Sequence, residues 1–170
     1  MIAISWPAVG ATILPNLGGI AGGFITRKQI KSKWYDSLKR PDWRPPNWAF
    51  GPVWTSLYCS MGYASYMVFR DGGGFNGPAK IPLMVYGTNL AFNWAWTPIF
   101  FGAHKLKLAL YEIQLINATA VASAYLFYKI NPKAGYIMVP YMVWLGLATA
   151  LNYVIARDNP EGATIKEIQD

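Results

Sequence analysis

Charge is scarce in this chain: only 14% of its 170 residues are Asp, Glu, Lys or Arg, where an ordinary soluble domain carries about 25%. A single cysteine, Cys59, excludes an internal disulfide and a cysteine metal cluster. One histidine, His104, cannot supply a bis-histidine haem site. No basic segment with a cleavage site precedes the first apolar run, so the first helix is expected to stay on the mature protein. Glu112 and His104 lack evident sequence partners, so no acid, base or metal constellation for ordinary catalysis is visible, and neither a cofactor nor a metal is expected.

Apolar length is what the chain has instead. Hydrophobic residues make up 54% and aromatic residues 16%, and five runs, 6–26, 48–69, 81–101, 108–128 and 136–156, contain only one charged residue, Glu112. At 1.5 Å rise per residue such a run reaches about 31 Å, close to the hydrocarbon thickness of a bilayer. The ten-residue alternation of a membrane β-barrel is missing, and a lipid-exposed backbone must then satisfy its hydrogen bonds within helices. The expected fold is an all-α integral membrane protein, a five-transmembrane-helix bundle forming one domain over 1–170.

Basic residues orient it. The segments on one side of such a bundle, 27–47, 102–107 and the tail 157–170, carry 11 Lys and Arg, against four on the other side. The positive-inside rule puts the C-terminus and the long first loop in the cytosol. The net charge of +7 is therefore read as topology, not as a nucleic-acid surface. Contact of the same loop with anionic lipid is a further, weaker reading.

Several features inside the runs suggest a hollow. Gly18/Gly22 and Gly19/Gly23 are overlapping small-xxx-small pairs suited to close helix packing or to a pocket wall. Pro15, Pro52 and Pro98 are expected to bend or unwind their helices. Asn89, Asn93, Trp96 and Phe100 share a helix face, where the amides either knit helices together or orient a ligand. Glu112, near the start of its run, is read chiefly as reaching interfacial water. Of eight tryptophans, Trp6, Trp34, Trp43 and Trp48 are assigned mostly to interface anchoring. Trp54 begins a stripe with Tyr58 and Met61, and Trp144 one with Ala148, Leu151 and Ile155. Wide rings beside small residues suit a flat, apolar guest. Leu151, Tyr153 and Arg157 match a loose pattern proposed for cholesterol contact.

The segments Lys39-Arg40-Pro41-Asp42-Trp43-Arg44-Pro45-Pro46, Pro52-Val53-Trp54 with Met61-Gly62-Tyr63, Asn93-Trp94-Ala95-Trp96-Thr97-Pro98-Ile99-Phe100-Phe101, and Pro140-Tyr141 through Trp144 to Leu151-Asn152-Tyr153 together resemble the translocator protein family, also known as peripheral benzodiazepine receptors or tryptophan-rich sensory proteins. The resemblance runs over nearly the whole chain. It implies a five-helix bundle opening toward the cytosol, with loop 27–47 as a lid, and ligands such as protoporphyrin IX, cholesterol and benzodiazepine-type drugs. It implies a site lined by Gly23, Thr26, Phe50, Gly51, Trp54, Asn93, Trp96, Leu115, Trp144, Ala148 and Leu151, and a cholesterol segment at Leu151, Tyr153 and Arg157. Leu14-Pro15-Asn16-Leu17-Gly18-Gly19 resembles the animal members, which sit in the outer mitochondrial membrane; bacterial members occupy the cell envelope. Membrane lipid and a second copy are the other implied partners, although Leu83 replaces one glycine of the family's dimer pair and leaves Gly87. Gly23, Leu108, Tyr111 and Ala156 also depart from the mammalian pattern, at positions tied to drug and sterol affinity.

Three functions follow as expectations: a receptor or carrier for hydrophobic ligands; a light- and oxygen-dependent porphyrin-degrading enzyme using Trp54 and Trp144; or a membrane scaffold.

Overall fold

A computed structural model of the chain describes residues 5–160, and among these every regular element is helical. The tail expected at 157–170 lies outside the described residues from 161 onward. The helices are α1 (Trp6–Gln29), α2 (Lys33–Ser37), α3 (Asn47–Asp71), α4 (Lys80–Thr97), α5 (Leu106–Ile130), α6 (Pro132–Ile137) and α7 (Val139–Asp158). Two stretches, Trp6–Gln29 and Pro132–Asp158, are long and apolar enough by composition to cross a membrane.

Local chemistry sets the boundaries. Pro7 stands in the first turn of α1, where a missing N–H costs nothing, and Arg27 and Lys28 face the negative end of its dipole. Ser32 caps α2 by accepting from the Tyr35 N–H at 3.2 Å. Asn131 caps α6 through its Oδ1, which accepts from the N–H groups of Lys133 and Ala134. Pro98 unwinds the end of α4, as expected: residues Pro98–Gly102 form a π turn in which the Ala103 N–H donates to the Pro98 carbonyl at 2.8 Å. His104 then takes a left-handed φ of 56°, uncommon for a residue with a Cβ. The helices continue through Pro15 and Pro52.

Packing joins α1 to α3, α4 to α5, and α5 to α6 and α7. Met61, Ile116, Phe127, Met138 and Tyr141 lie at the centre of the main core, and a second cluster forms where α2 docks on the ends of α5 and α7. Glycine allows the closest approach. A Cβ on Gly62 would come within 2.8 Å of the Thr12 Cα and closer still to the Ala11 carbonyl, the one that Pro15 leaves without its helical donor.

Polarity is distributed against the rule for water-soluble domains. Asn89 and Asn152 are 0% and 1% exposed, while Phe24 and Val143 are 69% and 70% exposed. Leu14, Leu17, Ile20 and Tyr125 also point outward. Such a surface is stable where hydrocarbon is the solvent and amides must find partners inside.

Candidate ligand site

The expected site residues fall into groups that the structure treats differently. Phe50 and Trp54 on α3 meet Trp144 on α7, with ring centroids 5.6 Å and 6.4 Å apart and edge-to-face geometry. Trp54 also contacts Tyr58 at 5.4 Å and Tyr141 at 6.3 Å. The two indoles are thus turned toward each other between helices, and Ala148 packs against the same core. The Trp144 Nε1–H is buried and has no hydrogen-bond partner, although buried indole N–H groups usually find one.

The glycines divide in the same way. A Cβ at Gly19 would lie 2.7 Å from the Tyr58 ring and one at Gly22 would lie 3.2 Å from Thr97 Oγ1, while Gly18 is covered by the Trp94 indole. These three are packing positions. A Cβ added at Gly23 or Gly51 would meet nothing within 4 Å, so both border open space. Thr26, one turn from Gly22, directs its hydroxyl to the Gly22 carbonyl.

Asn93 stands behind the rings. Its Oδ1 accepts from the Tyr58 hydroxyl at 2.6 Å and its Nδ2 donates to the Tyr141 hydroxyl at 3.0 Å, so its amide ties α3 and α7 to α4. The Tyr141 hydroxyl donates in turn to Asn89 Oδ1, and Asn89 Nδ2 donates to the Ile116 carbonyl and Thr119 Oγ1 on α5. Of the two roles open for these amides, knitting helices is the one whose bonds are present. Trp96 belongs to the same scaffold: it stacks on Phe100 at 4.7 Å and donates to Asn152 Oδ1 at 3.0 Å, while Asn152 donates to the Leu106 carbonyl. Leu151 is buried on α7. Leu115 stands apart, half exposed on α5.

Loop 27–47 packs against the start of α5 and the end of α7. Trp34, expected as an interfacial anchor, is instead 6% exposed: its ring is stacked on His104 at 3.8 Å and edged by Phe100 and Phe101. Docked α2 removes it from the interface, whereas Trp6, Trp43 and Trp48 remain exposed. The overlooked signal is Ser32, an N-cap residue ahead of two adjacent large rings. Burial pushes the His104 imidazole below its usual range, partly offset by its hydrogen bond to the Phe101 backbone. Asn159 fastens the loop by accepting from the Lys39 N–H and donating to the Lys39 carbonyl, both at 2.9 Å.

Glu112, expected to reach interfacial water, is instead buried, with its Oε2 lacking any partner, because its position on α5 faces inward with Ala109 and Ile116. Among the described residues no group of His, Cys, Asp or Glu is placed to hold a metal. Tyr153 of the cholesterol segment lies on a different surface, an outward groove of about 520 Å³ between α5 and α7 bordered by Tyr111, Gln114, Gly146 and Ala150. Arg157, one turn further on, pairs with Asp158 at 2.6 Å.

Known proteins share this sequence pattern over most of its length. The chain is 44% identical over 154 residues to the translocator protein of Homo sapiens and 43% identical over 156 residues to that of Sus scrofa, covering 90% of each chain in both cases. It is 39% identical over 127 residues to the tryptophan-rich sensory protein of Cereibacter sphaeroides, covering 75% of this chain and 77% of that one. The model of the TspO/MBR family matches residues 11–157. With an inverted polarity that suits lipid and this match across its helices, the chain is a membrane protein of the TspO/MBR family.

Proposed function

We propose that this protein is a five-span membrane receptor or carrier that takes a flat, hydrophobic ligand against the Phe50, Trp54 and Trp144 rings, with loop 27–47 as a cytosolic lid. The observation that carries the reading is the buried Trp144 Nε1–H without a partner. A donor left unpaired in an apolar interior costs about 1–3 kcal/mol, which a ligand acceptor would return. Gly51, three residues before Trp54 on the same helix, borders open space, Ala148 packs against the same core as the rings, and Asn93 and Trp96 hold the frame. Porphyrins such as protoporphyrin IX fit this chemistry by combining a wide ring with peripheral acceptors, and sterols and benzodiazepine-type drugs are further candidates. Mammalian relatives match a larger share of the chain than the bacterial one, which supports an outer mitochondrial location, and the excess of Lys and Arg in 27–47, 102–107 and 157–170 supports a cytosolic C-terminus.

Titration of the purified protein with protoporphyrin IX tests the reading through tryptophan fluorescence. Saturable quenching is expected. Trp144→Phe, which keeps a ring and removes the donor, should weaken binding by about three- to ten-fold, the worth of one net hydrogen bond. Trp54→Ala should weaken it further. Quenching that never saturates, or that neither change affects, overturns the proposal.

A further inference from the structure

We propose that the lid carries a phosphate-binding site on its outer side, formed by Arg40 and Arg44, which holds the phosphodiester headgroup of a membrane lipid. A concavity of about 460 Å³ is bordered there by Leu38, Arg40, Pro41, Asp42, Arg44 and Pro46. It lies outside the helix bundle and is independent of whether a flat ligand binds inside.

Both guanidinium groups are positioned by one buried side chain. The Arg40 Cζ stands 4.3 Å over the centre of the Tyr35 ring, and an Arg44 Nη donates to the Tyr35 hydroxyl at 3.5 Å and to Asn47 Oδ1 at 2.6 Å. Tyr35 itself is fixed by its own hydrogen bond to Asn47. Neither arginine has a carboxylate within ion-pair distance among the described residues. Two planar forks held in place on a wall stiffened by Pro41 and Pro46 suit bidentate binding of a phosphate, and little side-chain freedom remains to be lost on binding.

The surroundings identify the source of that phosphate. Trp43 and Trp48, on either side of Arg44 in sequence, are 53% and 77% exposed, as expected of rings that rest at headgroup depth. The segment leads directly into α3 at Asn47, which places the concavity where a span enters the bilayer. Asp42 adds selectivity. Two guanidinium groups and one carboxylate leave a single net positive charge, so the fitting headgroup is a singly charged phosphodiester whose hydroxyl can donate to Asp42.

Native mass spectrometry of the full chain with added phosphatidylglycerol tests this, with phosphatidylcholine, which lacks a headgroup donor, as the reference lipid. Retention of one phosphatidylglycerol in preference to phosphatidylcholine is expected. Arg40→Gln with Arg44→Gln should lower it at least about ten-fold, the worth of one charge-assisted hydrogen bond. Arg40→Lys with Arg44→Lys, which keeps the charge but not the forks, should fall between. Lys31→Gln with Lys33→Gln removes equal charge from exposed positions of the same loop and should leave retention unchanged. Equal losses in the two glutamine variants, or no preference between the lipids, overturn the site. Displacement by inorganic phosphate but not by sodium chloride of equal ionic strength overturns the lipid assignment in favour of a soluble phosphate.

Discussion

Two buried tyrosines with opposite hydrogen-bond status show where single atoms matter. The Tyr141 hydroxyl bridges Asn89 and Asn93, so Tyr141→Phe leaves two amide groups short of a partner in an apolar interior, at about 1–3 kcal/mol each. The Tyr86 hydroxyl is buried without a partner, so Tyr86→Phe removes only an unmet demand. Thermal unfolding in detergent should show a clear drop in midpoint for the first variant and none, or a small rise, for the second. Glycines give a similar contrast. Gly62→Ala forces a methyl against the backbone of Ala11 and Thr12, which at typical overpacking costs destabilises by about 1–3 kcal/mol. Gly87→Ala meets nothing within 4 Å and should be neutral or stabilising, since alanine favours the helix by roughly 1 kcal/mol. The shared face of Asn89 and Asn93 was legible from their one-turn spacing. Their partner Tyr141 was not, because periodicity relates residues on one helix and is silent about which distant helix faces them.

At the scale of elements, loop 27–47 contains a short helix, α2, whose own five residues are too few to be stable alone. It persists because Trp34 fills a socket of rings and Asn159 pairs with the backbone of Lys39 on both sides. Asn159→Ala removes both bonds while leaving the socket. Opening of the loop should then become easier by about 1–3 kcal/mol, the worth of two net hydrogen bonds, and limited trypsin cleavage after Lys39 should accelerate about ten-fold. An unchanged rate would mean that the Trp34 socket alone holds the loop. The sequence shows why Pro98 should disturb its helix, since a proline has no N–H to give. It does not separate a buried tryptophan from an interfacial one, because Trp34 and Trp43 lie in the same basic loop and only tertiary docking buries the first.

For the whole molecule, the all-helical class and the membrane environment were legible because they rest on run length and charge, which need no tertiary information. The ring cluster was legible only in part: stripes placed Trp54 and Trp144 on helix faces, but whether those faces meet depends on helix rotation. Charge sets the expectation for how the chain threads the bilayer. Five crossings would place loop 27–47 and the turn around Asn76 on opposite sides, with the more basic segments in the cytosol. Cys59 is the sole native thiol, so a Cys59→Ser background reports only on thiols introduced elsewhere. In that background Lys33→Cys and Asn76→Cys each add one at an exposed position. In cells whose plasma membrane alone is permeabilised, a maleimide carried on a polyethylene glycol too large for outer-membrane pores should label the Lys33→Cys protein at once and the Asn76→Cys protein only after detergent is added. Labelling of both before detergent would place the two loops on the same side. An even number of crossings between them would then be required, and the proposed five-span threading, which puts one crossing there, would fail.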